Sequence, residues 1–247
     1  MEIYLPVHCN EIGLRNTNED AIYPEIPSTE SRLFMVCDGV GGQAKGELAS
    51  WMVCNEMACF VNDNILKTVG NQAYWSQALK FVENQFQKHF TGSPESKGMA
   101  STLSLLYISD QEEKVFMVWI GDSRIYHIRD GKILNRTKDH SIVQAMLEMG
   151  EITVQEVKDH PKRHVITRAI NGLTPSKVDV KIIEDLQKND FFMLCSDGIL
   201  ENVDDEKIEK WFKKETSIEK IRAKIMIEAN GNTKDNYSMY LIKIDKT

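Results

Sequence analysis

The chain has 247 residues, 42% hydrophobic and 27% charged, with 30 Lys and Arg against 37 Asp and Glu for a net charge of −7. This length suits one large domain or two small ones with a core that needs no staple, and the composition excludes disorder. The acidic balance argues against non-specific nucleic-acid binding. With five irregularly spaced cysteines, no signal-like start and no run of roughly 18 apolar residues, it predicts a cytoplasmic protein rather than a secreted or membrane one.

No Pro/Gly/Ser linker, repeat or low-complexity block divides the chain, so residues 1-247 read as one domain. Leu33–Cys37 is an apolar run of strand length, followed by helical periodicity over Gly46–Val61 and Asn71–Phe90. In the second helix Ala78, Phe81, Val82, Phe86 and Phe90 recur at spacings near three and four, a stripe facing a core. Strands follow at Thr102–Ile108, Val115–Ile120 and Ile125–Ile128. Only Gly121-Asp122-Ser123-Arg124 separates the last two, which predicts antiparallel neighbours. Asp130-Gly131 is a hairpin signal leading into Ile133-Leu134. A helix over His140–Met149, strands Val178–Ile183 and Phe191–Cys195, helices Asp204–Lys214 and Ser217–Ala229, and a strand Tyr237–Ile244 complete the pattern. The charges of Glu215 through Lys224 suggest a solvated helix surface. Antiparallel strands with two early and two late helices fit helices covering sheets, not an alternating βαβ order.

The chemical signal lies in where the acids fall. Asp38 directly follows Leu33–Cys37, Asp197 follows Phe191–Cys195 after one serine, Asp122 ends Val115–Ile120, and Asp235 precedes Tyr237–Ile244. One such aspartate is ordinarily a turn former or helix cap. Four at the mouths of converging strands would raise one another's pKa and destabilise the fold, a conflict that a bound cation removes. An all-oxygen ligand set selects Mg²⁺ or Mn²⁺ over zinc. The glycines after Asp38 and Asp197 let backbone approach an ion closely.

These residues carry a resemblance. Arg15-Asn16-Thr17-Asn18-Glu19-Asp20-Ala21 resembles the first motif of the metal-dependent serine/threonine protein phosphatases (PPM, or type 2C), and Val36-Cys37-Asp38-Gly39-Val40-Gly41-Gly42 the second. Ser101-Thr102-Leu103 is similar to a segment of bacterial members. Gly121-Asp122-Ser123-Arg124-Ile125-Tyr126 resembles the next block, continuing through Asp139-His140-Ser141 and His160-Pro161 to Thr167-Arg168-Ala169. Leu194-Cys195-Ser196-Asp197-Gly198 and Lys234-Asp235-Asn236 close a series that runs in the family's order over nearly the whole chain.

The resemblance implies an α+β fold: a four-layer α/β/β/α sandwich of two antiparallel sheets flanked by helix pairs, with a flap-like segment at about residues 140-170. It implies two Mg²⁺ or Mn²⁺ ions. Asp38 would bridge them, Asp197 and Asp235 would ligate the first, and the Gly39 carbonyl and a water held by Glu19 would serve the second. Asp122 would join Asp197 on a third, weaker ion; Arg15 would hold the substrate phosphate; Asp20 and Asn236 would support the ligands from behind. The implied reaction is in-line attack on a phosphoserine or phosphothreonine by a hydroxide shared between ions roughly 4 Å apart, without a phosphoenzyme. Partners would be phosphoproteins and a serine/threonine kinase acting in opposition, with a monomeric enzyme expected.

Val40 stands where many eukaryotic members have a histidine, Ala100-Ser101 replaces the usual Gly-Thr, and Asn10 occupies a position where bacterial members usually have Asp. The spacing from Gly13 to Arg15 is also one residue shorter than theirs. None of these departures removes a direct metal ligand, and intact Asp38, Asp197, Asp235 and Arg15 argue against a catalytically silent phosphoprotein-binding adaptor on the same fold.

Other patterns carry less. His8-Cys9 with Arg15 satisfies the cysteine-phosphatase spacing H-C-x5-R, but Glu11 would sit in the phosphate cradle, and Pro24 and Pro27 preclude a long supporting helix. Gly39 to Ala44 fits G-x-G-x-x-A, but Asp38 would repel a pyrophosphate and no second βαβ half follows. Gly121-Asp122-Ser123 lacks the second glycine of a serine-hydrolase elbow, and the consecutive Asp139-His140-Ser141 cannot face one another as a triad. Cys37 and Cys195 read as small packed hydrophobes, and His160 and His164 as structural or surface residues.

Overall fold

A computed structural model describes residues 1–40, 45–64 and 72–246. Gly41 and Gly42 of the second motif, Gln43 and Ala44 of the G-x-G-x-x-A pattern, and the expected helix start at Asn71 lie outside the described residues. One sheet is ordered β1 (Glu2–Ile3), β12 (Tyr237–Lys246), β11 (Phe191–Cys195), β8 (Arg124–Arg129), β9 (Lys132–Arg136), and β2 (Val7–Glu11) also pairs with β12. The other is ordered β10 (Asp179–Ile183), β7 (Lys114–Ile120), β6 (Leu103–Ser109), β4 (Leu33–Val40), β3 (Asp20–Tyr23), with β5 (Ala100–Ser101) added to β4. Every strand pairing is antiparallel among the described residues.

The sheets stack through an apolar layer in which Phe34, Val36, Leu106 and Met117 meet Phe192, Leu194, Tyr240 and Ile242. The outer face of the second sheet is covered by α1 (Gly46–Asp63) and α2 (Gln72–Gly92). That of the first is covered by α6 (Asp205–Lys214) and α7 (Ile218–Ala229), with the single turn α5 (Asp197–Leu200) leading into them, while α3 (Ile142–Glu148) and the single turn α4 (Val154–Val157) fall between β9 and β10 in the chain. This is the α/β/β/α sandwich, and it explains why the central strands read as unbroken apolar runs: both of their faces are buried. On α2, Ala78, Val82, Phe86 and Phe90 are buried as the stripe predicts, while Phe81 is half-buried beside Phe60. α7 is less solvated than its charges suggest, because Ile218, Ile221 and Ile225 enter the core. No helix among the described residues is long and apolar enough to cross a membrane.

One expectation needs correcting. β7 and β8 are not neighbours; they belong to different sheets, and Gly121-Asp122-Ser123 carries the chain from one sheet to the other. The antiparallel rule presumes that a short connection stays within one sheet, but stacked sheets lie only about 10 Å apart, a gap a few extended residues can span. Gly121 makes the crossing possible: its φ is +103°, and a Cβ there would lie 2.5 Å from the Thr102 side chain. The β8–β9 hairpin forms at Asp130-Gly131 as expected, with both residues at positive φ.

A buried polar cluster ties the chain entering β11 to β8. Asp190, fully buried, accepts hydrogen bonds from His127 Nε2 (2.9 Å), Arg129 Nε (2.7 Å) and Nη2 (2.8 Å), and the Gln187 N–H (3.0 Å). Burial pushes its carboxyl up, but the Arg129 and His127 hydrogen bonds outweigh it and hold the pKa below 3.8. A depressed carboxylate pKa stabilises the fold above the unfolded-state value and loses that contribution as pH falls through the folded one. Asp190→Asn is therefore expected to cost about 3 kcal/mol at pH 7 and much less in acid below the folded-state pKa. Urea denaturation at the two pH values checks this; an equal penalty at both would contradict it.

Candidate metal centre

The antiparallel register of β3 on β4 sets Asp20 directly opposite Asp38. Like charges facing across a strand pair are unfavourable, so both must be held by their surroundings. The Asp38 N–H donates to Thr102 Oγ1 (2.9 Å), the Thr102 N–H donates to the Asp38 carbonyl (2.9 Å), and the Thr102 and Ser123 hydroxyls hydrogen-bond at 2.7 Å. Asp20 Oδ2 accepts from Ser196 Oγ (2.7 Å), the residue that leads into Asp197. Strand ends from both sheets are thus stitched together at one edge of the sandwich.

Gly39 continues β4 beneath the start of α1. Its N–H donates to the Glu19 carbonyl (3.0 Å), and a Cβ there would lie 2.2 Å from the Gly46 carbonyl and 2.7 Å from that of Glu19. Only glycine fits this cradle. The Glu19 carboxylate sits against Gly46, whose N–H it accepts. Burial first, then Glu47, raises the Glu19 pKa.

Asn236 organises the opposite wall. Its Oδ1 accepts the Glu19 N–H (2.8 Å), and its Nδ2 donates to the carbonyls of Ile12 and Thr17 (2.8 Å each), fixing the loop that carries Arg15 and Glu19. Gly198 packs so tightly beneath Asn236 that a Cβ would lie 2.0 Å from its carbonyl oxygen. Arg15 Nη2 donates to Asp235 Oδ2 at 2.8 Å, with 56% of the arginine side chain exposed.

The electrostatics follow from burying this many acids together. Burial raises Asp38 well above the ordinary carboxylate range, and Asp20, Asp197, Asp122 and Asp235 push it further. Burial chiefly lifts Asp20 and Asp122 to about 7 and Asp197 to about 6, with neighbouring aspartates adding to each. Asp38 lies within electrostatic reach of Asp122, Asp197 and Asp235, and Asp197 within reach of Asp122 and Asp235. Asp197 Oδ1 is buried without a hydrogen-bond partner. An orphaned buried oxygen, a carbonyl cradle at Gly39 and an all-oxygen donor set fit a hard divalent cation. Among the described residues no three His, Cys, Asp or Glu side chains form a finished ligand group. Asp235 is turned onto Arg15, while the Asp197 and Asp38 carboxyl groups lie within hydrogen-bonding reach of each other.

The competing patterns dissolve here. Cys9 is buried in β2, and burial pushes its thiol up to about 12, the opposite of an activated nucleophile. Cys37 and Cys195 are fully buried with raised pKa values, again chiefly from burial. Asp139 pairs with both ends of the Arg124 guanidinium (2.8 and 2.7 Å), while His140 accepts from the Gly121 N–H through Nδ1 (3.1 Å), so no triad forms. His160 is half-buried and accepts the Lys162 N–H through Nδ1 (3.1 Å), whereas His164 is exposed. Sequence reasoning missed Ser123, Ser196 and the buried role of Thr102. Hydroxyls give no local signal, and only the pairing of distant strands reveals them.

Removing one buried like charge should relieve the fold when no divalent ion is supplied. Asp38→Asn is expected to be about 1 kcal/mol more stable than wild type in excess EDTA and to lose any stabilisation by Mn²⁺. Thermal unfolding with EDTA and with Mn²⁺ checks both; a destabilised variant that Mn²⁺ still stabilises would contradict the account.

A family model described as protein phosphatase 2C matches residues 13–226. The chain is 30% identical over 233 residues to the serine/threonine protein phosphatase PstP of Mycobacterium tuberculosis, covering 94% of this chain but 43% of that protein. It therefore spans less than half of that relative's length. It is 27% identical to the protein phosphatase PhpP of Streptococcus pneumoniae, covering 100% of this chain and 98% of that one. A crystal structure of the catalytic domain of PstP in complex with two manganese ions superposes with a TM-score of 0.78 at 26% identity, covering 100% of both chains.

Proposed function

The chain belongs to the protein phosphatase 2C family, and from that membership we propose that it is a metal-dependent phosphatase of phosphoserine and phosphothreonine in proteins. The observation that carries this reading is the exposed Arg15 guanidinium beside a cluster of buried and half-buried aspartates, a phosphate hook at the edge of a cation site. Asp38, Asp197, Asp235 and the Gly39 carbonyl would hold two divalent cations, with Glu19 acting through water. Asp122 would join Asp197 in holding a third. When bound, the ions supply Lewis acidity, lowering the pKa of water and neutralising charge on the phosphoryl group.

The chain's own residues do the rest. Arg15 has five N–H donors in a planar fork, so it can contact Asp235 and still orient phosphate oxygens. Asn236 keeps that fork in place by fixing both ends of its loop. Thr102, braced by Ser123, sets the backbone position of Asp38, and Ser196 fixes Asp20 behind it. Val40 supplies no proton to the leaving alkoxide. Residues 1-247 would act as one catalytic domain, with 140-170 as its flap, on cytoplasmic phosphoproteins whose serine/threonine kinase works in opposition.

With Mn²⁺ and a phosphothreonine peptide, Asp38→Ala is expected to lower kcat by about 10³-fold or more. Arg15→Ala should raise KM about tenfold, with a smaller loss in kcat. Steady-state kinetics checks both, and turnover near wild type in Asp38→Ala would refute the cation-holding role. Asp122→Ala should retain tight Mn²⁺ binding by calorimetry while shifting the Mn²⁺ dependence of turnover to higher concentration; an unchanged dependence would remove the third site.

A further inference from the structure

Within residues 158–168 the sequence concentrates Lys158, Lys162, Arg163 and Arg168 against the single acid Asp159, a local charge of +3 in a chain of net charge −7. Two of these cations are committed. Lys158 pairs with Asp204 at 3.2 Å, and Arg168 with Asp179 at 3.5 Å. Of the nearby acids, Glu156 accepts from Thr153, and Glu148 pairs with Lys138 at 2.9 Å. Lys162 and Arg163 lie exposed on a turn, and neither has a carboxylate partner among the described residues.

That turn is fastened to the candidate metal centre. Ile170 pairs with Ser101, which pairs with Gly39 next to Asp38. The Thr167 N–H donates to the His140 carbonyl (2.7 Å), and the His140 N–H donates to the Gly121 carbonyl (2.8 Å), next to Asp122. At the other end the Lys158–Asp204 pair reaches the start of α6, just after the α5 turn that carries Asp197. The segment therefore links the Asp38 and Asp122 side of the centre to its Asp197 side, with Lys162 and Arg163 between the anchors.

Resting on the phosphatase reading above, we infer that Lys162 and Arg163 select phosphorylated segments whose flanking residues are acidic. A phosphopeptide with acidic flanks is repelled by the acidic chain as a whole, and two uncommitted cations on a segment anchored at both ends to the centre's surroundings supply a complementary local field. A lipid surface suits the patch less well, since anionic membranes are held by clusters of about four to eight Lys or Arg.

The test compares kcat/KM on a phosphothreonine peptide flanked by Glu with that on its Ala-flanked counterpart, for wild type and Lys162→Glu/Arg163→Glu, with p-nitrophenyl phosphate as a substrate without flanks. Wild type should favour the Glu-flanked peptide by about fivefold to tenfold through KM, the scale of two exposed charge pairs, and the preference should shrink in 0.5 M salt. The double variant should reverse the preference while hydrolysing p-nitrophenyl phosphate at the wild-type rate. Lys162→Ala/Arg163→Ala should abolish the preference without reversing it. Equal wild-type rates on both peptides, with p-nitrophenyl phosphate turned over normally, would overturn this inference and leave the phosphatase reading intact. No turnover of any substrate would sink both. Binding of wild type to vesicles of phosphatidylcholine and phosphatidylglycerol, lost in the double variant whose peptide preference is unchanged, would assign the turn to lipid instead.

Discussion

The constraint on which the molecule depends is the pairing of β3 with β4, which sets one aspartate opposite another where two sheets meet. Asp20 and Asp38 could not both be charged there at low cost, and Asp197 and Asp122 add to the same field. The fold keeps them in place through neutral hydrogen bonds: Thr102 and Ser123 around the Asp38 backbone, Ser196 on the Asp20 side chain, and Asn236 across the loop of Glu19. Those partners fix position without cancelling negative charge. A hard cation is the natural counterpart of such an arrangement.

The scaffold around this edge is correspondingly rigid. The central strands are buried on both faces, so a one-residue slip would disturb two packed layers at once. Register is therefore set by the core, and the strand ends inherit it. Glycine occurs where backbone must pass backbone, at Gly39 under α1 and at Gly198 beneath Asn236, and Gly121 lets the chain change sheets. The crossing at Gly121-Asp122-Ser123 also delivers Asp122 and Ser123 to the same edge as Asp38, a consequence of leaving one sheet for the other.

Much of this was legible in the sequence because the longest strands are continuous apolar runs and the helices carry regular stripes. Phe191–Cys195 coincides with β11, and the aspartates at strand mouths are visible once those runs are recognised. The short edge strands β1, β2, β3 and β5 are not legible in that way. Their polar residues, such as His8, Asn10 and Asp20, pair through backbone, and pairing partners such as Tyr237 or Asp38 lie far off in sequence. The β7–β8 relation was misread for a related reason: connection length constrains reach, not which sheet receives the next strand. Among site residues, the charged ones announce themselves by type, whereas Thr102, Ser123 and Ser196 acquire their roles only through contacts made across the sandwich.

Crystals grown with Mn²⁺ and measured at the manganese absorption edge test the central claim most directly. The account predicts anomalous peaks bounded by Asp38, Asp197, Asp235 and the Gly39 carbonyl at metal–oxygen distances of about 2.2 Å. A map with no peak there, and with the Asp38 and Asp197 carboxylates directed away from each other, would contradict it.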